Sequence, residues 1–378
     1  MIINGSVFTE DGTFKDLTVI TENGRIKELS EPDASMETSS TACDASGCFV
    51  LPGLTDIHFH GCMGHDFCEG RKEAFDVIAG FEFSKGVTNI CPATMTYPPE
   101  KIDEILIAAR DYAKKKEREE DDDNARLIGV HLEGPFINPE KKGAQNGEYI
   151  TKPSYGLLDR WLKESDDLVK LVTIAPEMDG AIECIERMHE GVRFSIGHTS
   201  SSYDTAMRAF KAGADHVTHM FNACPPFSHR ATGVIGAAFD DKKVFCELIC
   251  DGVHVDPAAV RMAFRLFGPE RMVLVSDSME ACGMGDGVFF LGGQEVHVQG
   301  NKAVLRDGTI AGSVTCLYDC MINAVKMGVE LPDAIRATTI NPCRSIGIDA
   351  EYGSISVGKR TGFLLLDKKD LSIRGVCK

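Results

Sequence analysis

The stretch LPGLTDIHFHG, residues 51–61, decides how this chain is read. An apolar lead, Leu51 to Ile57, runs into His58 and His60, and positions two apart on a strand share a face. Two imidazoles then project together from one strand end, as half of a metal site would have them. Pro52 and Gly53 set how the strand begins, and Gly61 ends it. With 11 histidines in 378 residues, chance alone gives about 0.3 His-x-His pairs per chain. The pair therefore becomes informative only if later strands end in matching ligands.

The whole chain permits a sizeable core. Its 378 residues are 43% hydrophobic, enough for one large domain or one large and one small. Forty basic against 57 acidic side chains leave a net charge of −17, a field that repels nucleic acid and anionic membranes but leaves room for a small anionic substrate where cations gather locally. The N-terminus MIINGSVFTEDG lacks a basic segment followed by an apolar one, and no apolar run reaches about 18 residues. A cytoplasmic location is expected. The 14 cysteines are scattered without a C-x-x-C and read as reduced, mostly buried thiols. Cys62 and Cys68 lie near the histidine strand and receive no role.

Residues 1–50 read as short strands at 1–3, 16–20 and 25–29, punctuated by Asn4-Gly5, Asp11-Gly12 and Asn23-Gly24. The C-terminal segment reads the same way, with a strand at 363–366. Chain ends often meet, so 1–52 and 355–378 are expected to form a small β-sandwich around a domain of residues 53–354. Within that domain apolar strands at 87–91, 127–132, 171–175, 192–196, 216–219, 244–249 and 272–275 alternate with helix-length segments at 74–85, 101–116, 181–189, 202–212 and 257–267. With the histidine strand, that makes eight. The pattern fits an α/β fold, a (β/α)8 TIM-like barrel with catalytic groups at its C-terminal strand ends. An open doubly wound sheet is the competing fold, but no G-x-G-x-x-G follows a first strand. The run KKKEREEDDDN, 114–124, reads as a helix end passing into a solvated loop.

The expected strand ends supply Glu133 in GVHLEGPF, His198 in FSIGHTS, His219 in DHVTHMFNA and Asp277 in VLVSDSM. A single polar residue in such a place is more often a satisfied core or cap residue. Five strands delivering His, His, Glu, His, His and Asp in turn are not explained by packing. Neutral imidazole and carboxylate suit zinc and similar divalent ions, and the set reads as metal-assisted hydrolysis. Glu133, His198 and His219 would form one metal site; His58 and His60 could hold a second ion with Glu133 bridging. Asp277 is the natural general base and acid, with a plain ligand as the alternative. His131 is expected to make a hydrogen bond behind Glu133, and His216 reads as structural.

These motifs carry a resemblance. HFHG, HLEGPF, KKGA at 141–144, GHT, THMFNA, DGVHV, SDSM, DGxxxLGG and GTIAGS, in that order from Leu51 to about Gly358, resemble the N-acetylglucosamine-6-phosphate deacetylases of the amidohydrolase superfamily. The resemblance implies a barrel with a small β-sandwich, a homodimer, and hydrolysis of the 2-acetamido group of an amino-sugar 6-phosphate to amine and acetate. It implies Glu133, His198 and His219 as metal ligands and Asp277 as catalytic acid and base. It implies His254 as a sugar contact, and Ala144, the Asn222–Ala223 backbone and Arg230 as further substrate contacts, the last two gripping phosphate.

Two features bear on the chemistry. Where the family commonly has a histidine after KKGA, this chain has Gln145, a neutral amide that can donate to an oxyanion but carries no charge. His58-x-His60 is intact, so one or two ions are both open. Zinc, iron, manganese and cobalt all suit the ligands. A deacetylase for the galactosamine isomer, or a metal- or sugar-binding barrel without activity, are the alternatives.

Overall fold

The structure is a computed structural model of the 378-residue chain and describes residues 1–32, 42–117 and 123–378. The quoted stretch holds two strands rather than one. Cys48–Pro52 ends in one sheet, and Leu54–Asp56 begins another. Gly53 sits at the change of sheet, where an added Cβ would lie 2.1 Å from Thr88 Oγ1, so only glycine fits the crossing. His58 and His60 lie just beyond the second strand.

The first sheet draws on both chain ends. Ile373–Cys377 and Phe363–Asp367 pair antiparallel, and Phe363–Asp367 lies against Cys48–Pro52, which pairs with Ile2–Phe8 and so with Phe14–Glu22 and Arg25–Ser30. Its own small core gathers Val7, Val19, Ile26, Val50, Phe363 and Leu365. Residues 33–41, which fall in the expected 1–52 unit, and 118–122 of the charged run lie outside the described residues. The helix that leads into that run spans Pro99–Lys116 and includes its first three lysines.

The remainder is a curled parallel sheet with helices around it. Seven parallel strands run Ala93–Thr94, Val130–Glu133, Val169–Ile174, Arg193–Ile196, His216–Val217, Phe245–Ile249 and Met272–Val275. A smaller parallel sheet pairs Leu54–Asp56 with Val87–Ile90 and Arg126–Leu127. The two are joined through the chain: Val87–Ile90 leads into Ala93–Thr94, and Arg126–Leu127 into Val130–Glu133. The break at Pro92 is expected, because proline has no N–H for the ladder. At the break before Val130, a Cβ on Gly129 would lie 2.6 Å from Lys170 Cγ. At the far edge Asp277 N–H donates to His58 O at 2.9 Å, and His60 N–H to Ser278 O at 2.7 Å. First and last strands therefore touch where the histidines emerge.

Helix starts follow the sequence closely. Ser202 caps Tyr203–Ala212 by accepting from Thr205 N–H, and Asp256 caps Pro257–Phe267 by accepting from Ala258 N–H, with proline in the first turn. The sequence reading missed helices at Tyr155–Glu164 and Leu317–Lys326, and a three-stranded antiparallel sheet at Gly287–Leu291, Gln294–Gln299 and Lys302–Leu305. That sheet turns at Gly292-Gly293 and is wet on one face, with Phe290 53% exposed although it lies in the apolar run 288–291. It carries Leu291 to the mouth of the cleft described next.

Candidate metal centre and active-site cleft

Glu133 stands at the centre. It ends the strand Val130–Glu133 and is nearly fully buried. Its Oε1 lies 3.0 Å from His198 Nε2 and 3.1 Å from His219 Nε2, and the two ring nitrogens are 3.1 Å apart. Around the same carboxylate, His58 Nε2 is 3.2 Å from Oε1 and His60 Nε2 is 3.2 Å from Oε2, while Asp277 Oδ1 lies 3.2 Å from His60 Nε2 and 3.8 Å from His58 Nε2. Side chains from five strand ends thus meet within one small volume.

Hydrogen bonding shows what that volume wants. His198 Nδ1 lies 2.8 Å from Lys141 O and His60 Nδ1 3.3 Å from Ala93 O; a carbonyl only accepts, so each Nδ1 holds the hydrogen and each Nε2 is a bare lone pair. His58 Nδ1 lies 2.8 Å from Glu247 Oε2, with the same result. His58 Nε2 has no hydrogen-bond partner among the described residues. As neutral rings, the three turn lone pairs toward two carboxylates with no hydrogen between them, an arrangement that a bound cation satisfies. The spacing fits as well. A tetrahedral ion with bonds of about 2.0 Å sets its ligand atoms roughly 3.3 Å apart, near the 3.0–3.2 Å edges found here. The groups Glu133, His198, His219 and His58, His60, Glu133 could each hold one ion. Without a cation, protons take its place: burial opposes it, yet hydrogen bonds to Asp277 and Glu133 push His60 up to about 10. Burial likewise opposes ionisation of Asp277, and the hydrogen bond and charge of His60, with the charge of His58, hold it below the usual carboxylate range.

Three of these strand-end residues have left-handed backbone: His198 at φ +46°, His219 at +26° and Asp277 at +48°. Each such turn costs on the order of 1–3 kcal/mol and persists where surrounding bonds hold it. Here they do: Asn138 N–H donates to His198 O, His219 N–H to Glu247 Oε2, and Ser313 N–H to Asp277 O. Each kink turns a side chain off its strand and toward Glu133.

A cleft of about 350 Å³ opens over this centre, lined by His60, Glu133, His198, His219 and Asp277 and by Ala144, Gln145, Asn222, Ala223 and His254, with Lys141 at its wall. His58 lies behind it, fully buried. Arg230 does not line it and sits on the exposed loop 226–231, as does His229. The Asn222 N–H, expected to face a phosphate, is bonded to His219 O, which leaves Ala223 as the nearer backbone contact. Gln145 is 2% exposed. Its Oε1 accepts from Thr96 N–H at 2.6 Å, and its Nε2 donates to Glu133 Oε2 at 2.7 Å and approaches Met95 Sδ at 3.6 Å. In this geometry that amide is bonded to Glu133 and Thr96, and it lines the cleft where the sequence expects an oxyanion contact. His131 donates to Ile57 O and contacts Thr173 Oγ1 rather than Glu133.

Sequence reasoning missed two acids. Asp251 Oδ2 lies 2.7 Å from His254 Nδ1 and its Oδ1 accepts two backbone N–H groups, so the ring's Nε2 is left for the cleft. Burial would lower His254, but the hydrogen bond and charge of Asp251 raise it. Glu247 is fully buried on Phe245–Ile249. Burial would raise it, yet the charge of His58 and its hydrogen bond hold it at about 2. The available signal was an acid inside an apolar strand, which is rare unless paired.

A curled parallel sheet with imidazoles and carboxylates converging at its strand ends, beneath an open cleft, defines a metal-dependent hydrolase. The amidohydrolase family model matches residues 49–377. The N-acetylglucosamine-6-phosphate deacetylase of Bacillus subtilis (strain 168) is 34% identical, over 96% of this chain and 95% of its own length. The N-acetylgalactosamine-6-phosphate deacetylase of Escherichia coli O157:H7 is 32% identical over 96% and 93%. A variant of the Mycobacterium smegmatis N-acetyl-D-glucosamine-6-phosphate deacetylase, solved in complex with N-acetyl-D-glucosamine-6-phosphate, superposes with a TM-score of 0.90 at 30% identity, covering 100% of this chain and 97% of that one. The chain belongs to the amidohydrolase family and, within it, to the N-acetylglucosamine-6-phosphate deacetylases. Among the described residues no helix is long and apolar enough to cross a membrane.

Proposed function

We propose that this chain hydrolyses N-acetylglucosamine 6-phosphate to glucosamine 6-phosphate and acetate, in amino-sugar catabolism. The observation that carries the reading is the convergence of His58, His60, His198 and His219 on Glu133, with Asp277 Oδ1 3.2 Å from His60 Nε2, in a chain 34% identical to a deacetylase of that substrate. The galactosamine isomer is the second reading, favoured by the 32% identity to its deacetylase. Acetate release by the purified holoenzyme over a panel of N-acetylated hexosamines, with and without phosphate, tests both. No release from either 6-phosphate would overturn the reading.

Glu133, His198 and His219 would hold one divalent ion and His58, His60 and Glu133 a second; zinc is our choice, and iron, manganese and cobalt suit the same ligands. When bound, the metal supplies Lewis-acid polarisation of the acyl carbonyl and an acidified water. The other roles belong to the chain. Asp277 takes the proton from the attacking water onto its carboxylate and delivers it to the departing amine, so one residue serves as base and then acid. Gln145 keeps Glu133 in place. His254, held by Asp251, offers Nε2 to the sugar, and Lys141 and the Ala223 backbone line the cleft as anion contacts, while Arg230 would have to reach the phosphate from its exposed loop outside the cleft. In the same reading the curled sheet is a (β/α)8 barrel of residues 53–354, the sheet of the two chain ends is the small sandwich domain of 1–52 and 355–378, and the active form is a cytoplasmic homodimer. Light scattering on the purified protein tests the dimer.

A further inference from the structure

Below the metal ligands lies a buried polar layer. His131 Nδ1 faces the Ile57 carbonyl at 3.2 Å, so it bears the hydrogen and its Nε2 accepts from Thr173. The hydroxyl chain Thr173, Thr218, Ser195 then runs in a single sense, at 2.7 and 2.5 Å, to His216 Nδ1–H at 3.0 Å from Ser195. None of these bonds reaches a side chain placed around the ions. Glu247 differs. One of its oxygens, Oε2, accepts the Nδ1–H of His58 at 2.8 Å and the backbone N–H of His219 at 2.9 Å. Of the two groups that share Glu133, His58 belongs to one and His219 to the other, and His58 with His131 and Glu247 itself forms a third, fully buried group behind them.

We propose that Glu247 is a positioning residue that couples the two cation positions through this one oxygen: its bond to His58 aims the Nε2 lone pair at Glu133, and its bond to His219 holds the left-handed backbone that points that ring at the same carboxylate. Glu247 Oε1 has no hydrogen-bond partner among the described residues, and its ion-pair contact is the longer one to His216 Nδ1 at 3.7 Å. Partners behind a ligand typically change metal affinity by about 10- to 100-fold. The inference rests on the metal-centre reading of the site and not on which sugar the enzyme takes.

The test is zinc binding by chelated protein, titrated against a chromophoric chelator, with no substrate present. Wild type is expected to take two zinc ions per chain. Glu247→Gln, nearly the same shape, should weaken both by about tenfold or more, and in a His60→Asn background, which leaves only the Glu133, His198, His219 position, Glu247→Gln should still weaken the remaining ion. Ser195→Ala, in the same layer but touching no ligand, should leave affinity unchanged, and Glu247→Asp should recover part of the loss. A single ion in wild type, an unaltered remaining ion in the His60→Asn background, or an equal loss in Ser195→Ala would each overturn the proposal. Absence of deacetylase activity with normal zinc binding would instead count against the substrate reading alone.

Discussion

Gln145 donates its side-chain N–H to Glu133 Oε2 at 2.7 Å while accepting from Thr96 N–H at 2.6 Å. A neutral amide fixed at both ends is a brace, and the carboxylate it braces is the one shared by both ligand groups. Gln145→Leu should therefore cost roughly tenfold or more in metal affinity, measured as metal retained after dialysis. A variant that keeps its metal but loses turnover would return Gln145 to a substrate-facing role.

Asp277 sits at the cleft with a carboxylate held ionised. Asp277→Asn should reduce kcat by about 10²- to 10⁴-fold, with metal content near that of wild type by elemental analysis. Metal lost in step with activity would make Asp277 a ligand instead of the proton carrier.

His254 is raised by Asp251, so its protonated form is favoured below its folded-state pKa and lost as pH rises through it. Substrate binding should follow the charge: KM should climb on the alkaline side. Asp251→Asn removes the partner, lowers the His254 pKa and should move that climb to lower pH. A KM profile unmoved by the substitution would detach His254 from the substrate.

Metal removal should expose the protons that the cation replaces. In chelated protein, His60 is pushed up to about 10, against about 6.5 for an unfolded histidine. Its contribution to stability is complete below the unfolded value and is lost as pH rises through the folded one. The melting temperature of the metal-free protein should fall between about pH 7 and 10, and metal-loaded protein should show much less of this slope. Equal slopes would mean that these rings do not exchange protons for metal.

Much of the site was legible in the chain because its residues end apolar runs, and an apolar run of period two or less is a local signal. His58, His60, Glu133, His198, His219 and Asp277 were all found that way. The hairpin sheet at 287–305 was not: its apolar run 288–291 is followed by the mixed strands QEVHVQ and KAVL, much of whose surface faces water. Arg230 was placed by likeness of motif and stands off the cleft.

The sequence by itself determined which residues stand at strand ends, the parallel alternation around them and the donor types they offer, because each depends on neighbours close in the chain. Only the tertiary structure decided what stands behind them: that Gln145 braces Glu133, that Asp251 carries His254, and that one oxygen of Glu247 reaches both His58 and His219. Those contacts join residues 12 to 189 positions apart, apart from the local Asp251–His254 pair. Their geometry comes from strands curling back on one another, which no local pattern encodes.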